Sequence, residues 1–226
     1  DMTITAQGLA WGIPLLRLLA ALLLLLAFAM LAQRRLLTLI HLLAWQGVVL
    51  ATGTALVALL TGQTELWFSA ALTLGLKAIL IPTVLHRLLR RLQVRGDVEA
   101  VLNIPLTLLA GIALVIFAFS LAAPITALTG PVTRGMVGIA LAAVLLAFLM
   151  MITRRKAISQ VVGFLAVDNG LFFAATSATL GMPMIVELGV ALDALIGFVI
   201  LGVFFFQIRE TFDSMDLQNL EHIREE

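Results

Sequence analysis

The chain has 226 residues, of which 62% are hydrophobic and only 12% charged, and its mean hydropathy is +1.14. A soluble domain carries about 25% charged residues, so this much apolar surface requires lipid as its solvent. Within lipid, only helices and closed barrels satisfy the backbone hydrogen bonds. The unbroken apolar run Leu18–Leu31 fits a helix and lacks the alternation of a barrel strand. Cysteine is absent, which excludes disulfides and thiolate-bound metals or iron–sulfur clusters.

Seven segments of the chain reach the roughly 20 predominantly apolar residues that a membrane-spanning helix needs. The predicted spans are 13–33, 36–61, 65–89, 99–123, 135–153, 156–180 and 184–208. The sequence therefore predicts an all-α integral membrane protein with about seven transmembrane helices. It contains no phosphate loop, dinucleotide fingerprint or triad context, so we expect no catalytic centre on the chain itself.

The basic residues orient these spans, because Lys and Arg concentrate in cytoplasmic loops. With seven spans, eleven of the 14 basic residues fall on one side, including the pairs Arg34–Arg35 and Arg154–Arg155. Arg17 and Arg134 fall on or near the other side, and Lys77 falls within a span. We expect an N-terminus outside, a C-terminus in the cytoplasm, and a location in a bacterial or archaeal plasma membrane.

An internal repeat is indicated, since segment 33–89 resembles segment 153–209 at an offset of about 120 to 122 residues. Both segments open with an Arg-Arg pair and re-enter the membrane at a Glu-Leu dipeptide. The odd span between them makes the repeat parallel; chance similarity of Leu- and Ala-rich helices is the alternative. The predicted portions are a three-helix unit at 1–98, a linking helix and outer loop at 99–134, and a three-helix unit with a cytoplasmic tail at 135–226.

Three ionisable side chains are predicted deep in the membrane, where a charge costs at least about 2.5–3.5 kcal/mol. Lys77 and Asp168 lie near the middle of the third and sixth predicted spans, and Asp193 lies nine residues into the seventh. Lys77 can stabilise an aspartate if their helices touch. Groups of this kind pass a proton by alternating their protonation states, although each also has a purely structural interpretation.

Glu65, Glu187 and His41 complete the candidate relay. The two glutamates stand at the outer ends of their spans, as interfacial anchors or as relay exits. His41 lies near the cytoplasmic end of the second span, where it either feeds protons or packs through a hydrogen bond. Gln46 and Asn169 are predicted to form interhelical hydrogen bonds. The three histidines are scattered, so we expect no haem or zinc site.

Residues 135–226 resemble the three-span K-type subunit of respiratory complex I and its relatives in cation antiporters. The matching features are Arg154–Arg155, Gly163, Asn169 and the run Ala191-Leu-Asp193-Ala-Leu-Ile-Gly197. In that family two membrane carboxylates on adjacent spans belong to the proton path. Asp193 falls where the second is expected, but the first falls at Leu165. Asp168 lies three residues further on, roughly on the same helix face, and is expected to replace it.

The whole chain resembles hydrogenase-4 component E, a longer version of this subunit in formate hydrogenlyase-type complexes. The stretch from Trp67 to Pro82 carries that family's membrane lysine followed by a proline. The run Phe164–Gly170 carries its acidic residue before Asn-Gly. The resemblance covers nearly all of the chain.

This resemblance implies a non-catalytic membrane subunit of a group 4 nickel–iron hydrogenase or a complex-I-like assembly. The chain would hold no cofactor, and the nickel–iron centre and iron–sulfur clusters would lie on partner subunits. Expected partners are membrane lipid, antiporter-like and membrane-anchor subunits and, indirectly, a peripheral redox arm; nucleic acid is not expected. The buried charges would couple electron transfer to proton or sodium movement. The alternatives are a subunit of a multi-subunit cation/proton antiporter and a structural membrane scaffold whose charges lock helix register.

Overall fold

The computed structural model describes residues 6–91, 102–128 and 135–178, together with the isolated helical positions Gly189, Leu195, Gly197, Val199 and Gly202. The helices are α1 (Ala6–Ala32), α2 (Leu36–Thr61), α3 (Thr64–Thr73), a π-helix (Leu74–Leu80), α4 (Ile81–Arg91), α5 (Ile104–Leu128), α6 (Met136–Thr153) and α7 (Ala157–Ala178). The segments α3, π-helix and α4 follow one another without a break and form the third span. Within the described residues, six helical segments are long and apolar enough to cross a membrane. The described part of the chain is thus an all-α membrane protein.

The helix bounds agree closely with the predicted spans, apart from the first and the fourth. α1 begins at Ala6, seven residues before the predicted start of the first span. The predicted second span, 36–61, coincides with α2, whereas α5 begins and ends five residues later than the predicted 99–123. Pro105 occupies the first turn of α5, where backbone N–H groups have no partner within the helix, so the lack of an N–H in proline costs no hydrogen bond. The predicted span stops before Pro124, but this proline lies inside the helix, as membrane helices tolerate. The predicted seventh span lies outside the described residues except for the isolated positions named above.

Short connections set neighbouring helices antiparallel. Gly62 follows α2 with a φ of 69°, and its N–H donates to the carbonyl of Ala58, so the helix ends in a left-handed glycine cap. The guanidinium Nη2 of Arg154, just after α6, donates to the carbonyl of Leu31 near the end of α1 at 2.8 Å. The turns α1–α2 and α6–α7 therefore meet at one end of the bundle. We call this end the basic end, because it carries Arg34, Arg35, Arg154 and Arg155. We call the opposite end, where α3 begins, the Glu65 end.

The outer surface of the bundle is apolar on every side. Large side chains such as Leu25, Trp45, Phe117, Ile152 and Leu171 are more than half exposed. A helix that is hydrophobic all round belongs in a core or in a membrane. Lipid is the environment that fits this surface.

The buried core divides into two apolar clusters along the bundle axis. The cluster near the basic end includes Leu36, Leu39, Leu43, Ile81, Leu85, Val162 and Leu165. The cluster near the Glu65 end includes Leu16, Leu23, Val57, Leu66, Met136 and Phe172. On α2 and on α7, buried polar residues separate the two sets. This polar layer at mid-depth is where the functional site lies.

Candidate functional site

An ion pair stands at the centre of the polar layer. The ammonium nitrogen of Lys77 donates to Oδ2 of Asp168 at 2.6 Å and to Oδ1 of Asn169 at 3.1 Å. The side chains of Lys77 and Asp168 are only 3% and 9% exposed. Taking an ion out of water costs several kcal/mol even after relaxation, so a pair this deep needs close contact and further hydrogen bonds. The second bond, to Asn169, meets part of that requirement.

The network extends from the ion pair to α2. The amide nitrogen of Asn169 donates to Oε1 of Gln46 at 3.1 Å. This bond confirms the predicted interhelical contact, and it turns the amide oxygen of Asn169 toward the lysine. The ring of Phe172 lies beneath the ammonium, with its centroid 4.9 Å from Nζ, a distance at which a cation is attracted to the ring face. The network therefore joins α2, the π-helix and α7.

Both charges lie near the middle of their spans. Lys77 is thirteen residues after the start of α3, which places it about 20 Å along the span at 1.5 Å per residue. Asp168 is eleven residues after the start of α7, a helix of 22 residues. Asp168, Asn169 and Phe172 share the face of α7 that meets the lysine. This position lies close to mid-depth in both spans.

Lys77 is the central residue of the π-helix. The N–H of Ile81 reaches the carbonyl of Leu76, five residues back, which is the wider π pattern. Such segments are rare and occur frequently at functional sites. Nothing in the periodicity of the sequence predicted this one.

Gly47 lets α2 approach the π-helix closely. A Cβ at this position would lie 2.8 Å from the carbonyl carbon of Lys77 and 2.9 Å from the nitrogen of Ala78. Any larger residue would push the two backbones apart. Gly47 thus holds the lysine against α2 and beside Gln46. The only sequence signal for this role is a glycine next to a polar residue in a helical pattern.

The structure brings together two of the six predicted relay residues, Lys77 and Asp168. His41 is exposed on α2, with its Nδ1 2.7 Å from the carbonyl of Leu37 in the same helix, and it does not join the polar layer. Glu65 is exposed in the first turn of α3. Among the residues that the structure describes, no group of three His, Asp or Glu side chains is arranged to hold a metal ion.

Asp193 and Glu187 lie outside the described residues, and their roles stay predictions. Leu165, where the K-type resemblance places a carboxylate, is buried in the apolar cluster near the basic end. Asp168, one turn further along α7, instead occupies the polar layer. The carboxylate on this helix is therefore displaced by one turn toward the Glu65 end.

A second buried charge lies at the basic end. Arg154 is 3% exposed, although it lies in the basic turn between α6 and α7. Its bond to the carbonyl of Leu31 satisfies an acceptor at the end of α1. Burial, together with the nearby charge of Arg34, lowers the pKa of Arg154. The residue fastens the α6–α7 turn to α1.

The fold and this site define a class, the polytopic α-helical membrane proteins with an ion pair buried at mid-depth. The chain is 34% identical to the uncharacterized protein Rv0085 of Mycobacterium tuberculosis over 194 residues, which are 85% of this chain and 88% of that protein. The chain belongs to the same family as Rv0085.

A more distant relationship connects the chain to hydrogenase-4 component E. The identity is 21% over 181 residues to that protein from Escherichia coli K12 and from Shigella flexneri, covering 80% of this chain and 84% of the relative. No family model and no solved structure matches the chain. The expected resemblance to component E is thus present as a distant similarity over most of the chain.

Proposed function

We propose that the chain is a membrane subunit of a hydrogenase-like or complex-I-like assembly, in which the Lys77–Asp168 pair takes part in moving protons or sodium ions. The distant similarity to hydrogenase-4 component E supports membership of such an assembly. The observation that carries the transport role is the 2.6 Å ion pair in the middle of the bundle. On this proposal, the nickel–iron centre and the iron–sulfur clusters lie on partner subunits.

The pair can pass a proton because its two members stabilise each other's charge. In the resting pair, Lys77 is protonated and Asp168 is ionised. A proton that arrives on Asp168 removes the negative charge opposite the ammonium. The excess positive charge is then costly in an apolar layer, which favours release of a proton from Lys77. A proton thus enters at one member and leaves from the other, and transfer of the proton from Asp168 to Lys77 then restores the ion pair.

The neighbours of the pair keep the lysine in place through this cycle. Asn169 continues to accept a hydrogen bond from the ammonium when Asp168 is neutral, and the face of Phe172 attracts the cation. The Gln46–Asn169 bond holds the amide in the orientation that this requires. These contacts keep the side chain of Lys77 in place, so that only the proton moves.

The assembly is tested by purifying the native complex in mild detergent through a tag on this chain and identifying its subunits by mass spectrometry. We expect hydrogenase-type large and small subunits together with antiporter-like membrane subunits. Antiporter-like subunits without a redox arm would favour the cation/proton antiporter instead. Recovery of the chain alone would contradict the proposal.

The transport role is tested with Asp168→Asn in the purified complex, reconstituted in sealed vesicles. The amide keeps the shape of the side chain but cannot accept the proton. We expect electron transfer to continue and the number of ions moved per electron to fall. Arg155→Gln is the matched control, since it removes an exposed charge at the basic end. An unchanged ratio in Asp168→Asn would remove the pair from the transport path.

A further inference from the structure

Thr73 differs from other buried threonines of the described bundle. The hydroxyls of Thr54, Thr107 and Thr176 donate to the carbonyl four residues back in their own helix, each at 3.0 Å. Thr73 is 1% exposed, yet its Oγ1 has no hydrogen-bond partner. Unpaired buried polar groups are rare and commonly mark the position of an ordered water. The hydroxyl of Thr73 is therefore available to water.

Ser69 and Thr73 form a line that leads to the ion pair. Ser69 is four residues before Thr73, which is four residues before Lys77, and all three are buried. Residues four apart lie on one face of a helix, separated by about 6 Å along its axis. One water bridges such a gap, because two hydrogen bonds of about 2.8 Å span it. Gln63, the residue just before α3 at the Glu65 end, also has a buried and unpartnered Oε1.

The described helices around the pair show no comparable line toward the basic end. In residues 36–45 of α2, 78–90 of the third span and 160–167 of α7, every buried residue is apolar or glycine. Ser159, whose buried hydroxyl is also unpartnered, lies beyond this apolar stretch, in the first turn of α7 at the basic end. Water enters a buried space only where polar partners hold it. The ion pair therefore has polar neighbours toward the Glu65 end and an apolar closure toward the basic end.

We propose that Ser69 and Thr73 line a hydrated path between the Lys77–Asp168 pair and the Glu65 end, and that the apolar cluster closes the pair to the basic end. This inference rests on the proposed transport function and gives it a direction of access. Protons or ions reach the pair past Thr73. With the predicted orientation of the spans, the path opens to the outer surface.

Cysteine accessibility tests the path directly, because the natural chain contains no cysteine. The single variants Ser69→Cys and Thr73→Cys probe the path. The single variants Leu43→Cys and Leu85→Cys probe the apolar closure. Thr54→Cys is a control at a buried position off the path. A thiol reacts as its thiolate, which forms where water reaches it. The full chain, in sealed vesicles of either orientation, is exposed to Ag⁺ from one side. The thiols that remain are then counted with a fluorescent maleimide after denaturation.

We expect Ag⁺ to react with the thiols of Ser69→Cys and Thr73→Cys at least about tenfold faster from the Glu65 side than from the basic side, so that fewer thiols remain for the maleimide. This ratio of rates is equivalent to roughly 1.4 kcal/mol. The variants at Leu43, Leu85 and Thr54 should react slowly from both sides. The proposal is overturned if Thr73→Cys reacts no faster than Thr54→Cys, or if it reacts equally from both sides.

A transport measurement separates this inference from the function on which it rests. Thr73→Val should slow ion movement, Thr73→Ser should restore it, and Thr54→Val should leave it unchanged. If the path cysteines are unreactive while Asp168→Asn still blocks transport, the path is wrong and the proposed function stands. If they react as expected while Asp168→Asn transports normally, the hydrated path stands and the proposed function fails.

Discussion

Replacing Lys77 with methionine keeps much of the length of the side chain and removes its charge. Asp168 and Asn169 then lose a donor that lies 2.6 and 3.1 Å from them. The carboxylate, only 9% exposed, becomes a buried charge without this counter-charge. Breaking a buried ion pair on one side costs about 3–5 kcal/mol. We expect Lys77→Met to lower the free energy of unfolding by this amount at neutral pH.

The double variant Lys77→Met/Asp168→Leu isolates the contribution of the pair. Apolar residues of similar volume in place of both charges often leave stability unchanged or raise it by about 1–4 kcal/mol. The Asn169–Gln46 bond remains in this variant. The double variant should therefore be more stable than Lys77→Met by at least about 2 kcal/mol.

The assay is reversible unfolding of the purified chain in mixed micelles of dodecyl maltoside and SDS, followed by far-UV circular dichroism. Parent, single variants and double variant form a double-mutant cycle. If Lys77→Met costs less than about 1 kcal/mol, as an exposed ion pair would, the pair is not buried as described. If the cost of the double variant equals the sum of the two single costs, the residues are not coupled.

Two further predictions concern the packing around the site and the basic end. Gly47→Ala should lower the free energy of unfolding by about 1–3 kcal/mol, because the added Cβ would meet the π-helix backbone. Gly53→Ala is the control in the same unfolding assay. The nearest atom to a Cβ at Gly53 is 3.9 Å away, so this change should not destabilise the chain. Arg154→Gln should cost about 1.5–3 kcal/mol, because the charged donor to Leu31 is lost. The exposed control Arg155→Gln should stay within about 0.5 kcal/mol of the parent, and equal costs for the two arginines would contradict the burial of the first.

The helices could be predicted because lipid imposes a simple rule on the sequence. A span must be about 20 residues long and apolar, and the run 36–61 meets this rule so clearly that the predicted and observed bounds of α2 coincide. The predicted fourth span, 99–123, stopped before Pro124, whereas α5 begins at Ile104 and continues through that proline. Pro105 and Pro124 both lie within α5, where their effect depends on position in the helix.

The members of the site could be predicted individually, but their arrangement could not. Lys77 and Asp168 stand out as charges in apolar runs, and the cost of burying them marks them as functional candidates. Their contact depends on how the π-helix and α7 both pack against α2, and Gly47 permits the close approach of the π-helix. The unpaired hydroxyl of Thr73 likewise depends on its neighbours in space. Apolar periodicity carries no information on either.

On the transport proposal, the buried pair moves protons or ions and does not merely hold the helices together. The most direct measurement is the number of ions moved per electron by the assembled complex carrying Lys77→Met/Asp168→Leu, because this variant removes both charges and is expected to keep the fold. We predict an assembled complex that transfers electrons and no longer moves ions through this subunit. A normal ratio in that complex would show that the pair is structural and would contradict the transport proposal.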